Sequence, residues 1–270
     1  MKVYFKYLLF AMFYGIFQTL PYLRVSKTVL FSDIIFGLSF NKPIFHILSI
    51  MNMIMDFIPI FLFQILYGTY IYRHFCSASV FYFTRCTNRW SWFLKESIKL
   101  YGYIILYLCT LVLSSIVFCM INFGVEFDKG SIHLLCYFFI IFSIWYYITA
   151  IIINIIAIMI GSHYSFGIVA SVQLLLLLSL DIFENYLPFE ENLVANNHLL
   201  KINPIAHLVI SWHSSSIPYV NNLINTWNIQ FSYFSSFAYL GVIAVIITII
   251  GGTIINNKQI LVLNRETGGV

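Results

Sequence analysis

The sequence predicts an all-α integral membrane protein with six transmembrane helices and cytoplasmic N- and C-termini. Three observations predict it. Of the 270 residues, 61% are hydrophobic and only 9% charged, whereas ordinary soluble domains run at about 45–50% apolar and about 25% charged. So few charges cannot cover the surface of a soluble fold of this length, and the mean hydropathy of +0.90 agrees. Uncharged runs long enough for a helix to cross the hydrocarbon core, roughly 20 residues, recur along the chain. The Lys and Arg residues between those runs fall unevenly on alternate connections.

The runs are taken in order. Between Lys6 and Arg24 no residue is charged, and the spacing predicts a first helix over about 7–23. No small-residue cleavage site follows the start, so this run reads as an uncleaved helix. From Pro43 to Tyr72 only Asp56 is charged, giving a second helix over about 48–70. Lys99 and Glu126 enclose the third, over about 100–122. The stretch from Gly130 to Leu180 has no acidic, Lys or Arg residue and is long enough for two crossings. Its one polar break, Gly161-Ser162-His163-Tyr164-Ser165, divides it into helices over about 133–160 and 166–183. A last apolar run gives the sixth over about 231–255. All belong to a single transmembrane domain, 1–270.

Orientation follows from the positive-inside bias. With the N-terminus in the cytoplasm, the inside holds Lys2, Lys6, Arg73, Arg85, Arg89, Lys95, Lys99, Lys258 and Arg265, nine of the 14 basic residues. The opposite topology would put the basic 73–99 connection outside. The outer stretch 184–230 is long and only half polar. Its part 202–229 has no Lys, Arg, Asp or Glu but carries Pro204, Pro218 and the cluster Trp212-His213-Ser214-Ser215-Ser216. Such a segment is too polar to span and too apolar for a free loop. It predicts a re-entrant or interfacial hairpin between helices five and six, its backbone satisfied by protein or water.

Several chemistries find no motif here. No GxxxxGK[ST] phosphate loop, HExxH or GxSxG occurs, so the expectation is a chain that is not an enzyme and binds no cofactor or metal itself. The five cysteines are odd in number and lack a CxxC pair, which argues against a disulfide or zinc framework. His207 and His213, with His198 nearby, read as interfacial side chains rather than metal ligands. Within the spans, Asp56 precedes Pro59 by three residues. A charge at the bilayer centre costs about 2.5–3.5 kcal/mol on insertion scales and marks a pathway or a buried pair; nearer the outer interface it is simply solvated. Asn52, Gln64, Asn154 and Gln173 are candidates for interhelical hydrogen bonds, with Asn154 and Gln173 also intramembrane pathway candidates.

The strongest local signal is the segment from Tyr70 to Lys95, in which Arg73, Arg85, Arg89 and Lys95 are interleaved with Phe81, Tyr82, Phe83, Trp90, Trp92 and Phe93. Anionic lipid and an aromatic belt account for the composition, at about 1 kcal/mol per basic residue near the surface. They account less well for a short structured element between two spans with Arg85, Asn88 and Arg89 clustered at its tip.

This layout resembles the membrane (permease) subunit of type-2 ATP-binding-cassette exporters, in the small form of Gram-positive bacteria. The matching features are six spans with both ends inside, a long first outer loop, the cytoplasmic segment between spans two and three, and the half-buried hairpin between spans five and six. The resemblance implies a coupling helix at about 79–92 that docks on a separate cytosolic ATPase, with Phe83, Arg85, Asn88, Arg89 and Trp92 as contacts. It also implies an outer hairpin at about 203–225, holding Trp212 and His213 near an outer gate. Two ATPase copies would bind ATP and Mg, and the permease would pair with itself or a similar subunit in the bacterial cell membrane. Closure of the ATPases would rock the helices between two states. The weakly charged, aromatic interior suggests a hydrophobic or amphipathic cargo such as an antimicrobial peptide, lantibiotic or lipid, with self-immunity a purpose. No nucleic-acid partner is expected. The alternative is a non-transporting membrane immunity or sensor protein that binds a toxin or partner through its outer segment.

Overall fold

The computed structural model describes residues 2–24, 28–40, 54–81, 88–186, 200–225 and 231–257. Helix α1 (Lys2–Thr19) tightens into a 3-10 turn over Leu20–Arg24, where Pro21 has no N–H to offer an α-helical ladder. Strand β1 (Thr28–Leu30) and α2 (Phe31–Leu38) follow. Next come α3 (Ile58–Tyr67), α4 (Tyr70–Phe81), α5 (Arg89–Asn122), β2 (Gly124–Glu126), α6 (Ser131–Ile160) and α7 (Ser162–Tyr186). The C-terminal third has 3-10 turns over Ala206–Leu208 and Ile210–Trp212, β3 (His213–Ser214), α8 (Pro218–Ile224), β4 (Phe231–Ser232) and α9 (Tyr233–Asn257).

Five helical stretches among the described residues are long and apolar enough to cross a membrane: Ile54–Ser77, Arg89–Asn122, Ser131–Ile160, Ser162–Leu180 and Tyr233–Asn257. These are the features of a multi-pass membrane protein. The first expected span is a shorter apolar helix over Tyr7–Leu23. The third begins at Arg89 rather than near residue 100, so α5 has 34 residues and a length of about 51 Å at about 1.5 Å per residue. The hydrocarbon core is only about 30 Å thick. The long uncharged stretch does break at Gly161, whose φ of +114° lies where a side chain would be strained.

The second stretch is not one regular helix. Pro59 sits in the first turn of α3 and cannot donate to the carbonyl four residues back. That carbonyl, of Met55, instead accepts the Tyr14 hydroxyl at 2.8 Å. A second break, at Gly68-Thr69, separates α3 from α4. Beyond it the Tyr72 N–H donates to Asn154 Oδ1 at 2.8 Å, so a side chain of α6 supplies a bond across the break.

Helix α6 lies at the centre and packs against α2, α3, α4, α5, α7 and α9. Helix α1 runs along α5, where a Cβ on Gly15 would sit 2.2 Å from Ser114 Oγ and Ser115 Oγ donates to the Gly15 carbonyl at 2.9 Å. Lipid removes the hydrophobic drive between helices, leaving close packing and hydrogen bonds to hold them. The rings of Phe63, Tyr67, Tyr107 and Tyr146 form such a packed group, with centroids 4.9–6.0 Å apart, and Tyr107 Oη donates to the Pro59 carbonyl. The outward faces of α7 and α9 stay apolar and exposed, as at Leu175, Val245 and Ile249.

The bundle has two ends. At the Arg89 end, Gly252 of α9 meets Trp90 of α5 so closely that an added Cβ would lie 1.8 Å from the indole. At the Asn122 end, β1 pairs in parallel with β2 and β3 with β4. There Asp128 Oδ1 accepts the Ser32 N–H at the start of α2, the end of a helix that favours negative charge. Burial and the nearby Asp128 carboxylate raise the pKa of Asp33.

Candidate functional site

The most elaborate polar construction lies at the Asn122 end, in the segment expected to be a half-buried hairpin. It is a string of short turns rather than a pair of helices. Asn203 begins it: Oδ1 accepts the Ile205 N–H, and Nδ2 donates to the Leu176 carbonyl and to Ser179 Oγ, at 2.8 and 3.0 Å. One side chain therefore shapes the turn at Pro204 and ties it to α7. The Ile210 N–H donates to the Phe40 carbonyl, joining this segment to the first connection. Residues Ile205 to Ile210 are buried.

At its centre, Ser236 Oγ on α9 stands between two imidazoles, 2.8 Å from His207 Nδ1 and 2.9 Å from His213 Nε2. The far nitrogens face backbone: His207 Nε2 meets the Lys201 carbonyl at 2.8 Å and His213 Nδ1 the Val209 carbonyl at 2.9 Å. Aromatic rings close the sides. Tyr239 stacks on His207 with centroids 4.5 Å apart, Tyr233 lies 4.9 Å from His213, and Tyr137 stacks on Tyr233 at 3.6 Å. His213 and Ser236 are wholly buried. Burial lowers the pKa of both rings, that of His213 to about 4, and the Lys201 charge adds to the effect on His207. Ser236 is out of reach of any substrate, so the cluster is not arranged for nucleophilic attack. Trp212 packs nearby with 5% exposure. An open cavity of about 410 Å³, lined by Tyr137, the serines 214–216, Ser232 and Phe234, adjoins the cluster.

The intramembrane residues separate into pairs. Gln64 and Gln173 exchange amide hydrogen bonds of 3.2 Å in each direction between α3 and α7. Asn154 donates to Ala150 O as well as accepting from Tyr72. Asp56 is buried near the Asn122 end, where Gln18 Nε2 donates to Oδ1 at 3.2 Å and also to the Gly37 carbonyl. It faces a cavity of about 330 Å³ that Asp33, Tyr22 and Ser39 also line. Asp56 therefore lies near one end of its stretch, close to other polar groups.

At the Arg89 end, Phe83 and Arg85 lie outside the described residues. Asn88 caps α5, its Oδ1 accepting the Ser91 N–H at 3.0 Å; Arg89 is the first residue of that helix. Trp92 is half-buried with its ring 6.2 Å from Phe75. Glu96 is the buried charge here, held by Lys99 Nζ at 2.6 Å and His74 Nδ1 at 3.0 Å. Sequence reasoning did not single out Glu96, Gln18 or Ser236. Glu96 alone carried a usable signal, as an acid three residues before Lys99. Among the described residues, no group of three His, Cys, Asp or Glu could hold a metal ion. Comparison with protein-family models, curated proteins and solved structures finds no match to this chain.

Proposed function

We propose that this chain is the membrane subunit of an ATP-driven exporter of the type-2 ATP-binding-cassette class, working with a separate cytosolic ATPase on a hydrophobic or amphipathic cargo. In this reading α1 completes a set of six spans with both ends inside, and the connection between α4 and α5 docks on the ATPase. The observation that supports it most is the shape of α5. This helix runs unbroken from the basic-aromatic connection to Asn122. Its first three turns carry Arg89, Lys95 and Lys99 and are seated on α4 and α9 through Trp92 against Phe75 and Trp90 against Gly252. A push delivered near residue 88 is thereby passed to both neighbours and along the whole bundle.

The test is co-purification from native cells in mild detergent. The native chain should bring down a stoichiometric ATPase containing a phosphate loop, and the charge reversals Arg85→Glu and Arg89→Glu together should lose it while still inserting. An unchanged yield of ATPase with the double variant overturns the docking assignment. Absence of any ATPase with the native chain overturns the exporter reading in favour of a non-transporting immunity or sensor protein. Cysteines introduced at Glu190 and Asn88 test the sidedness. An impermeant thiol reagent should label the first from outside and leave the second unlabelled, and the reverse pattern would overturn the topology.

A further inference from the structure

At the Asn122 end, the open cavity of about 410 Å³ lies between α6 and α9 and against the serines that follow His213. Six hydroxyl groups line it, on serines 214–216, Ser232, Tyr137 and Tyr233, and the rest of its wall is apolar. Among the described residues, no acidic or basic side chain lines it. The fold leaves several of these hydroxyls with bonding capacity. Tyr137 Oη meets Ser215 Oγ at 3.4 Å, long for a bond between hydroxyls. The Tyr233 hydroxyl is buried and has no hydrogen-bond partner among the described residues. Such a group is costly to leave unpaired, and most have a partner. Ser216 and Ser232 are exposed. The exposed rim of the cavity is apolar: Phe234 is 78% exposed, and Phe237 is exposed one turn on. Along the same face of α9, Gly241 and Val245 follow Phe237 at four-residue steps. A Cβ added to Gly241 would meet nothing within 4 Å, and Val245 is exposed.

We propose that this cavity holds the headgroup of one membrane lipid, uncharged and rich in hydroxyls, a glycosyl diacylglycerol whose acyl chains lie along Phe237, Gly241 and Val245. The depth is that of a headgroup, because the cavity sits where α9, a helix long enough to cross the membrane, begins. Serine, tyrosine and sugar hydroxyls each donate and accept, so a sugar pairs with this wall and needs no counter-charge. A phosphate or carboxylate finds no Arg or Lys in the wall for the charge-assisted bonds that hold such groups tightly. The C–H faces of a sugar ring also suit the electron-rich face of the exposed Phe234 ring. A soluble sugar leaves Phe237 and the apolar face beyond it uncovered, and a lipid covers both. The start of α9 favours negative charge, so an anionic phospholipid is the competitor. The inference does not rest on the exporter reading.

The test is hydrogen exchange of the full-length chain in phosphatidylcholine nanodiscs, read at the amides of 214–217. Diglucosyl diacylglycerol is added as a minor component, with phosphatidylglycerol of the same acyl chains, or maltose in solution, in parallel samples. At about ten times its half-saturating mole fraction, the glycolipid should slow exchange about tenfold, and phosphatidylglycerol and maltose should have no effect. Tyr233→Phe removes only a hydroxyl that bonds to none of the described residues. It should leave the unfolding temperature unchanged or higher and yet weaken glycolipid binding about fivefold, the loss of one hydrogen bond. A glycolipid without effect on exchange overturns the inference, as does an affinity unchanged in Tyr233→Phe. Equal slowing by phosphatidylglycerol overturns it in favour of an anion site at the start of α9, and equal slowing by maltose in favour of a soluble sugar.

Discussion

The two ends of the bundle keep their polar groups in opposite ways. At the Arg89 end the polar partners stay near water: Lys99 and His74 reach from half-exposed positions to the one buried carboxylate of Glu96. At the Asn122 end, apart from the carboxylates Asp33, Asp56 and Asp128, the segment 203–213 keeps neutral, interior polar side chains, with Asn203, His207, His213 and Ser236 all bonded to backbone or to one another. Breaking one of the Glu96 pairs leaves its buried carboxylate with a single partner, whereas the freed cation returns to water. An interior neutral network fails as a unit.

The comparison can be broken or sharpened by substitution. The largest loss is expected for Asn203→Leu, which strands the Ile205 N–H inside the segment and removes both bonds to α7. Thermal unfolding in nanodiscs should show a loss of about 2–3 kcal/mol, and a change below about 0.5 kcal/mol would mean that the network is not a unit. Gln173→Leu leaves the Gln64 amide unpaired among helices and should cost about 1–2 kcal/mol. Adding Gln64→Leu should restore most of it, and a double variant no better than the single would show that the pair is not isolated. Asn88→Ala removes the cap of α5 at a cost of about 1 kcal/mol, read as fraying of residues 89–92 by hydrogen exchange. Lys99→Met removes the nearer partner of the buried Glu96 carboxylate and leaves His74 on it; it should cost about 1 kcal/mol, little changed by salt, and a loss abolished by high salt would mean that water reaches Glu96. The smallest effect is expected for Asp33→Asn. A carboxyl whose pKa is raised on folding stabilises at acidic pH and opposes folding once ionised. Its removal should therefore raise the unfolding temperature slightly at pH 7 and not at pH 4.

The apolar helices were legible because lipid-facing and core-facing positions alike must be hydrophobic over the thickness of a membrane, and Gly161 was legible as the one break in a long uncharged run. The start of α5 was not. Residues 89–99 carry charges, and their helix is seated by Trp90 and Phe93 against Gly252 and Gly251, glycines more than 150 positions away. Pro59 has no N–H for the Met55 carbonyl, but only the fold shows that Tyr14 takes it. Within the candidate site, the sequence marked His207 and His213 as neighbours in a polar stretch. No local pattern distinguishes Ser236 from Ser232 or Ser235 as the serine they share, since that depends on which face of α9 turns inward. Gln64 and Gln173 were legible as interhelical candidates, and their pairing was not, because they stand 109 positions apart.

The break at Gly68-Thr69 bears on how force moves through the second stretch. A continuous helix is a stiff rod that transmits a push as bending. Here two short rods are joined end to end, with Asn154 bonded to the Tyr72 N–H just past the joint. Exchanging that side-chain acceptor for a backbone carbonyl one turn back replaces one hydrogen bond with another, at small net cost. The two halves of the stretch thus take their positions from different neighbours, α3 from Gln173 and Tyr107 and the start of α4 from Asn154.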